Sequence, residues 1–350
     1  MSMSLIRLIA VAFAALCPVF AGAQAVEQPT VKFTLDWAFQ GPQSIFTYAA
    51  ESGAFKNEGL TVQVDRGAGS ADAVSRVATG TYEFGWAEMS AVIKYNADHP
   101  DRPLIAVYVT HENSANAVMS IKGRGIAVPK DLEGKKVGST AGSAARDVFD
   151  AFARVNGFDP TKIKTETVTG ALRETMLVRG DVDAITGFTF TSLLNIEARG
   201  VKAEDVVVLP YPQYGVRLYG NAIIVSPKLL QENPAAIKAF LSAFAKGMKD
   251  VIANPEQAIE TVKARDGIIN SELETRRLKL ALETVINSPE ARAEGFGQVK
   301  PGRLSLMASQ VSDAFNTKTR VNPDAVWNGG FLPSAKELDV LPVPKAAAKK

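Results

Sequence analysis

Gly138-Ser139-Thr140-Ala141-Gly142 stands between a strand-like and a helix-like stretch, the setting in which G-x-S-x-G presents a nucleophilic serine. Thr140 occupies the nucleophile position, and both histidines, His99 and His111, precede it, whereas that arrangement needs a histidine further along the chain. Nothing matches the phosphate loop G-x-x-x-x-G-K-S/T. Gly67-Ala68-Gly69 has two glycines of a dinucleotide fingerprint, but Asp72 stands at the third position, where its charge repels a pyrophosphate. His111-Glu112 lacks a second histidine at zinc-protease spacing, and the one cysteine, Cys17, excludes an internal disulfide, a Cys-rich zinc site and a CxxC redox pair. The expectation is no catalytic residues, no metal and no cofactor.

The same segments suit binding. A Gly/Ser loop at a helix start, here Gly142 and Ser143, offers free backbone N–H groups beside the positive end of the helix dipole, with Arg146 close behind. Such a loop takes a carboxylate, sulfonate, phosphate or the polar edge of a heterocycle. The first strand runs into Asp36-Trp37-Ala38-Phe39-Gln40-Gly41-Pro42-Gln43, where Trp37 and Phe39 offer a stacking wall, Gln40 and Gln43 offer amides, and Asp36 can brace the loop. Gly85-Trp86-Ala87-Glu88-Met89-Ser90 repeats the theme at another strand end, and loops beyond the carboxyl ends of parallel strands face a ligand crevice. Each aromatic can equally sit in the core. Arg146 and Arg217 favour an anionic group, whereas Trp37, Phe39, Trp86, Phe188 and Tyr219 favour something flat. Together they suggest an aromatic or heterocyclic acid, or a sulfonate.

The elements that must position these loops alternate. Val31–Leu35, Leu60–Val64, Glu83–Ala87 and Leu104–Thr110 read as strands, with helices over Ser44–Ser52 and Ala71–Thr79, the latter capped by Ser70. The pattern resumes with strands at Lys136–Gly138, Ile163–Val168 and Val182–Thr186 and helices over Ala144–Asn156 and Ala171–Arg179. A shift of 100 residues lays Ser70-Ala71…Gly80…Glu83 on Gly170-Ala171…Gly180…Asp183. The match is of a kind that any two strand–helix–strand units produce, yet it still implies two α/β units with mainly parallel sheets. A strand at Asn221–Val225 precedes helices over Ala235–Ala253, Glu256–Arg265, Ser271–Ile286 and Leu304–Asn316. The simplest topology leaves the first unit near residue 117 and returns near 220, placing a hinge and a cleft between the two units.

The chain has 350 residues, 46% hydrophobic and 22% charged, which suits two globular domains. Its net charge of +2 gives no footprint for nucleic acid. Arg7 followed by the uncharged run Leu8–Phe20 and the small-residue sites Ala21-Gly22-Ala23 and Ala23-Gln24-Ala25 describes a cleaved secretory signal over residues 1–25. The run is too short to span a bilayer and contains Pro18. Expected boundaries are residues 26–117 plus 221–340 for the first lobe, 118–220 for the second, and a loose tail at 341–350.

Leu35-Asp36-Trp37, Phe55…Glu58-Gly59-Leu60-Thr61-Val62, Gly85-Trp86-Ala87, Pro129–Gly138, Asp183-Ala184-Ile185 and Tyr219-Gly220-Asn221 occur in an order that resembles the nitrate/sulfonate/taurine-type periplasmic substrate-binding proteins of ABC importers. The closer resemblance is to their thiamine-pyrimidine-precursor-binding branch, in which the loop after Asp-Trp bears Asn residues and a His; here Gln43 stands about where that His falls. The resemblance implies a bilobal periplasmic-binding fold (type II) with a two-strand hinge and C-terminal helices on the first lobe. It implies a monomer that captures a small solute without chemistry and delivers it to an ABC permease in the inner membrane. It also implies a cleft lined by Trp37 and the loop after it, Trp86, Glu88, Met89, the Gly138–Ser143 loop, Phe188 and Thr189, with Tyr219 and Asn221 touching hinge and ligand. Two other readings stay open: an enzyme on the same scaffold, either a pyrimidine-precursor synthase or a periplasmic hydrolase, and a sensor reporting to a membrane kinase. The related synthases of eukaryotic thiamine pathways carry a cysteine-rich motif and a His that this chain lacks.

Overall fold

The computed structural model describes residues 30–339 apart from 287, 289–290, 292–294 and 318, so the expected signal segment and tail lie outside the described residues. Among the described residues, ten strands form two five-stranded sheets of the same order. In the first, β1 (Thr30–Thr34), β2 (Thr61–Asp65), β3 (Phe84–Glu88), β4 (Ile105–Val109) and β10 (Asn221–Val225) are arranged β2-β1-β3-β10-β4. In the second, β5 (Asn116–Ile121), β6 (Lys136–Ser139), β7 (Lys164–Thr167), β8 (Ala184–Phe188) and β9 (Val206–Pro210) are arranged β7-β6-β8-β5-β9.

The sheets are mixed rather than mainly parallel. β1, β2 and β3 pair in parallel, as do β6, β7 and β8, but β10 is antiparallel to both β3 and β4, and β5 to both β8 and β9. Each reversed strand is the one that arrives from the other lobe, so it enters its sheet from the cleft side. β3 and β8 stand 100 residues apart, at the offset of the internal echo.

A helix over Pro234–Ala253 lies on the first sheet, begun by Asn233, whose side chain accepts the Ala236 N–H, and by Pro234 at its first position. It closes an aromatic core in which Phe84 stacks on Phe240 at 4.3 Å and Phe46 on Phe244 at 4.8 Å. Gly247 is required there, because a Cβ would stand 2.8 Å from that of Ala49. Among the described residues no helix is long and apolar enough to cross a membrane.

Several local expectations are corrected. Ser70 is not a cap: the helix Ser70–Ala78 begins at it, after Gly69, and its Oγ accepts the Glu88 N–H at 3.1 Å. The expected helix over Ala144–Asn156 is two, Ala144–Asp147 and Phe149–Val155, broken at buried, β-branched Val148 with φ −96° and ψ 10°. The helix expected from Ala171 starts at Arg173, and that expected over Ser271–Ile286 is α-helical over Ser271–Ala281 and π-helical over Leu282–Ile286.

Candidate functional site

The chain crosses between sheets twice, from β4 to β5 and from β9 to β10, and the crossings are bonded to each other. His111 N–H donates to Asn221 O at 3.1 Å, Gly220 N–H to His111 O at 2.9 Å, and Ser114 N–H to Leu218 O at 3.0 Å. Gly220 has no room for a Cβ, which would meet His111 Cβ at 2.7 Å.

The carboxyl ends of β1, β2, β3, β6, β7 and β8 point their loops into the gap between the sheets. Those loops touch. Ala71 N–H donates to Gly142 O at 3.3 Å, Thr191 Oγ1 donates to Gln40 Oε1 at 3.1 Å, and a Cβ on Gly69 (φ +148°) would stand 2.5 Å from Gly142 O. The Trp37 ring lies over Gly170, where a Cβ would come within 2.6 Å of it. The lobes are drawn together around an inner pocket.

Asp36, Trp37, Gln43, Ser70 and Trp86 line this pocket from the first lobe. Ser143, Arg173, Gly187, Phe188, Phe190 and Thr191 line it from the second. Asp36 is buried and accepts from Asn221 Nδ2 at 2.8 Å and Gln43 Nε2 at 3.3 Å. Burial outweighs those two bonds and pushes its carboxyl up to about 6. Behind it Glu88 accepts from Ser114 Oγ (2.8 Å), Asn116 Nδ2 (2.9 Å) and Ser90 Oγ (3.3 Å), and burial raises it to about 7. Glu88 thus joins the end of β3 to the first crossing. Across the pocket Arg173 donates to Glu174 Oε1 at 2.6 Å and to Ser192 Oγ at 2.8 Å. Burial opposes ionisation of Glu174, but Arg173 and Ser192 together hold its carboxyl below the ordinary range. Buried Gln43 leaves its Oε1 without a partner at the pocket wall.

Of the residues singled out in the sequence, Trp37, Gln43, Trp86, Ser143 and Phe188 stand on the pocket wall. Gln40 lines a wider chamber just outside it, and Asn221 and Glu88 sit behind the wall through their bonds to Asp36 and the crossing. The rest lie elsewhere. Phe39 packs on the first core with the Arg265 guanidinium 5.9 Å from its ring, and Met89 is buried in the core. Gly142 meets the other lobe through its carbonyl, and Arg146 donates to Thr167 Oγ1 at 3.0 Å. Thr189 Oγ1 donates to Ala115 O, and the Tyr219 hydroxyl accepts the Lys300 N–H on the far side of the hinge. Arg217, taken as a sign of an anionic ligand, lines a groove beside Pro212 and Leu306 rather than the pocket.

Asp36 and Arg173 are the charged side chains on the wall; the sequence reading gave Asp36 only as a brace for its loop, which its bond with Gln43 fits, and did not single out Arg173. The signal for Arg173 was present: Arg173-Glu174 opens a helix just after Gly170, the position that echoes Ser70.

A family model described as NMT1/THI5 like matches residues 42–258 of this chain. The chain is 25% identical over 287 residues to the formylaminopyrimidine-binding protein of Halalkalibacterium halodurans, covering 80% of this chain and 85% of that one. It is 23% identical over 319 residues to the 4-amino-5-hydroxymethyl-2-methylpyrimidine phosphate synthase of Legionella pneumophila, covering 89% and 95%. In fold it matches the MOPS-bound alkanesulfonate-binding protein SsuA of Xanthomonas axonopodis pv. citri with a TM-score of 0.67 at 14% identity, over 87% of this chain and 99% of that one.

Proposed function

The chain belongs to the NMT1/THI5-like family, and from that premise we propose that it is the periplasmic solute-binding component of an ABC importer whose solute is a flat, amino-substituted nitrogen heterocycle of the pyrimidine class. The observation that carries the reading is Asp36: a buried carboxyl in the pocket wall, poised near pH 6 and braced by Asn221 and Gln43. A carboxyl that gains or loses a proton near neutrality pairs in two places with the amine and ring nitrogen of an aminopyrimidine. A sulfonate placed there would set one anion against another, while the Arg173 cation is already engaged by Glu174. Trp37 from one lobe and Phe188 from the other supply faces for a planar ring.

Capture follows from differential contact. Ligand bonded to both lobes stabilises the closed arrangement over the open one, and that difference drives closure. The reading is of binding without chemistry. His111, the nearer histidine, is buried with its ring edge-on to Trp86 at 5.1 Å and lies off the pocket wall, and its basicity is pushed down to about 3 by burial. The curated relative named as a binding protein supports this, while the relative named as a synthase makes turnover the outcome to be tested.

The test is a calorimetric titration with an aminopyrimidine, an alkanesulfonate and nitrate. Saturable binding of the pyrimidine in preference to the two anions is expected; saturable binding of the sulfonate or nitrate alone would overturn the choice of solute.

A further inference from the structure

The first crossing carries a buried polar side chain whose bonds go unmet. His111 is 1% exposed, and neither Nδ1 nor Nε2 has a hydrogen-bond partner. Burial disfavours the charged ring, so one nitrogen has a proton to donate and the other a lone pair to fill. Buried polar groups are rarely left so. Neighbouring Trp86 meets the same burial with its Nε1–H donated to Thr110 Oγ1 at 2.7 Å. The His111 backbone is fixed between the crossings by its bonds to Asn221 and Gly220, and Gly220 packs against its Cβ. Its ring is flanked by an aromatic from each lobe, Trp86 of β3 at 5.1 Å and Phe190 of the helix Thr189–Glu197 at 6.0 Å. Phe190 is the informative neighbour. It follows β8 in the second lobe, yet its side chain, 2% exposed, is part of the hydrophobic core that holds Phe33, Phe46 and Phe240 of the first.

Resting on the reading of the protein as a clamp that closes on its solute, we propose that His111 is a spring in the hinge: seating Phe190 beside it strips the imidazole of water, so the empty clamp stands open until contacts with a solute outweigh that loss. When the lobes part, Phe190 leaves with the second lobe and water reaches the ring nitrogens. When they meet, both bonds to water are lost without replacement. The seat itself, an apolar ring in an apolar core, favours closure, and the imidazole opposes it. Two opposed contributions at one joint keep the open and closed arrangements near each other in free energy. That is the condition under which differential contact with a solute decides between them. His111 is off the pocket wall, so it acts on affinity through the hinge rather than by touching the solute.

Small-angle X-ray scattering of the unliganded protein and titration with 4-amino-5-hydroxymethyl-2-methylpyrimidine read the two consequences. In wild type the radius of gyration is expected to fall on binding. His111→Phe and His111→Leu have no side-chain bonds to lose. Each is expected to bring the radius of gyration of the unliganded protein towards the liganded value and to bind the pyrimidine about five-fold or more tightly than wild type. His111→Asn keeps a donor and an acceptor and is expected to stay near wild type in both respects, whereas a purely structural role would make all three variants bind more weakly. Wild-type dimensions and affinity in the apolar variants, or weaker binding by them, overturns the spring and leaves the clamp standing. Failure of both apolar variants to fold also overturns it, since a side chain that the closed fold requires is not a cost to it. Absence of binding by wild type overturns the choice of solute instead, and the comparison of unliganded dimensions then decides the spring alone.

Discussion

Asp36 and Glu88 give the site a pH dependence that can be separated from binding. Both carboxyls are raised above their unfolded values, to about 6 and about 7, by burial. The folded state therefore holds protons that the unfolded state has released, so their contribution is fully present below about pH 4 and is lost as pH rises through about 7. His111 acts in the opposite sense: lowered to about 3, it favours the fold above its unfolded value of 6.5 and costs stability as pH falls. Glu88→Gln removes one carboxyl and leaves the rest, so its stability relative to wild type should improve between pH 5 and pH 8 by about 3 kcal/mol at most. Chemical denaturation at the two pH values measures this, and an unchanged difference would place the proton elsewhere. Trp37→Ala removes a ring face from the pocket without opening the core, and should weaken binding of an aminopyrimidine by about 1–3 kcal/mol while leaving the melting temperature of the unliganded protein nearly unchanged. Wild-type affinity in that variant would remove Trp37 from the site. At this scale the sequence was partly legible. Trp37 and Gln43 stood out because an aromatic and amide-rich loop after a strand is unusual. Arg173 did not, because a buried cation looks in sequence like any exposed one until its partner Glu174 and the opposing Ser192 are brought together.

Loops and helices set how the lobes meet. Gly69 approaches Gly142 so closely that a side chain cannot enter without parting the two loops. Gly69→Ala should therefore hold the lobes open and weaken ligand binding more than ten-fold, about 1.4 kcal/mol, while the protein remains folded by circular dichroism. Retained affinity would mean that the contact is not needed for closure. A second joint is made by the helix Ser271–Ala281. Arg277, wholly buried, donates to Phe190 O (3.0 Å), Thr191 O (2.7 Å) and Asn195 Oδ1 (2.9 Å) on the helix Thr189–Glu197, and to Glu274 Oε2 at 2.8 Å. Glu274 in turn accepts the Gly41 N–H at 2.7 Å, so a C-terminal helix grips pocket segments from both lobes. Arg277→Met strands the Glu274 charge and should destabilise the fold by about 3–5 kcal/mol in urea denaturation. A loss below 1 kcal/mol would mean that the tie is solvated. The strands β5 and β9 and the helices Met89–Asp98 and Thr189–Glu197 were not read from the sequence. β5 is buried on both faces and so lacks the alternation that marks a half-exposed strand. Met89 and Thr189 begin helices directly at strand ends, with no polar linker to separate the two patterns.

The whole molecule is two copies of one sheet order joined by paired crossings, with the site where six strand ends converge. That arrangement was legible because strand–helix alternation and a 100-residue echo survive in sequence even where individual boundaries drift. The reversal of β5 and β10 was not, because strand direction depends on which lobe a segment leaves and no local pattern records it. On the function proposed above, a clamp built this way closes around its solute and hands it on unaltered. The most direct measurement is native mass spectrometry of the purified protein equilibrated with 4-amino-5-hydroxymethyl-2-methylpyrimidine, followed by denaturation and weighing of the released ligand. The account predicts a one-to-one complex that yields the ligand back at its starting mass. No complex, or a ligand recovered at a different mass, would contradict it.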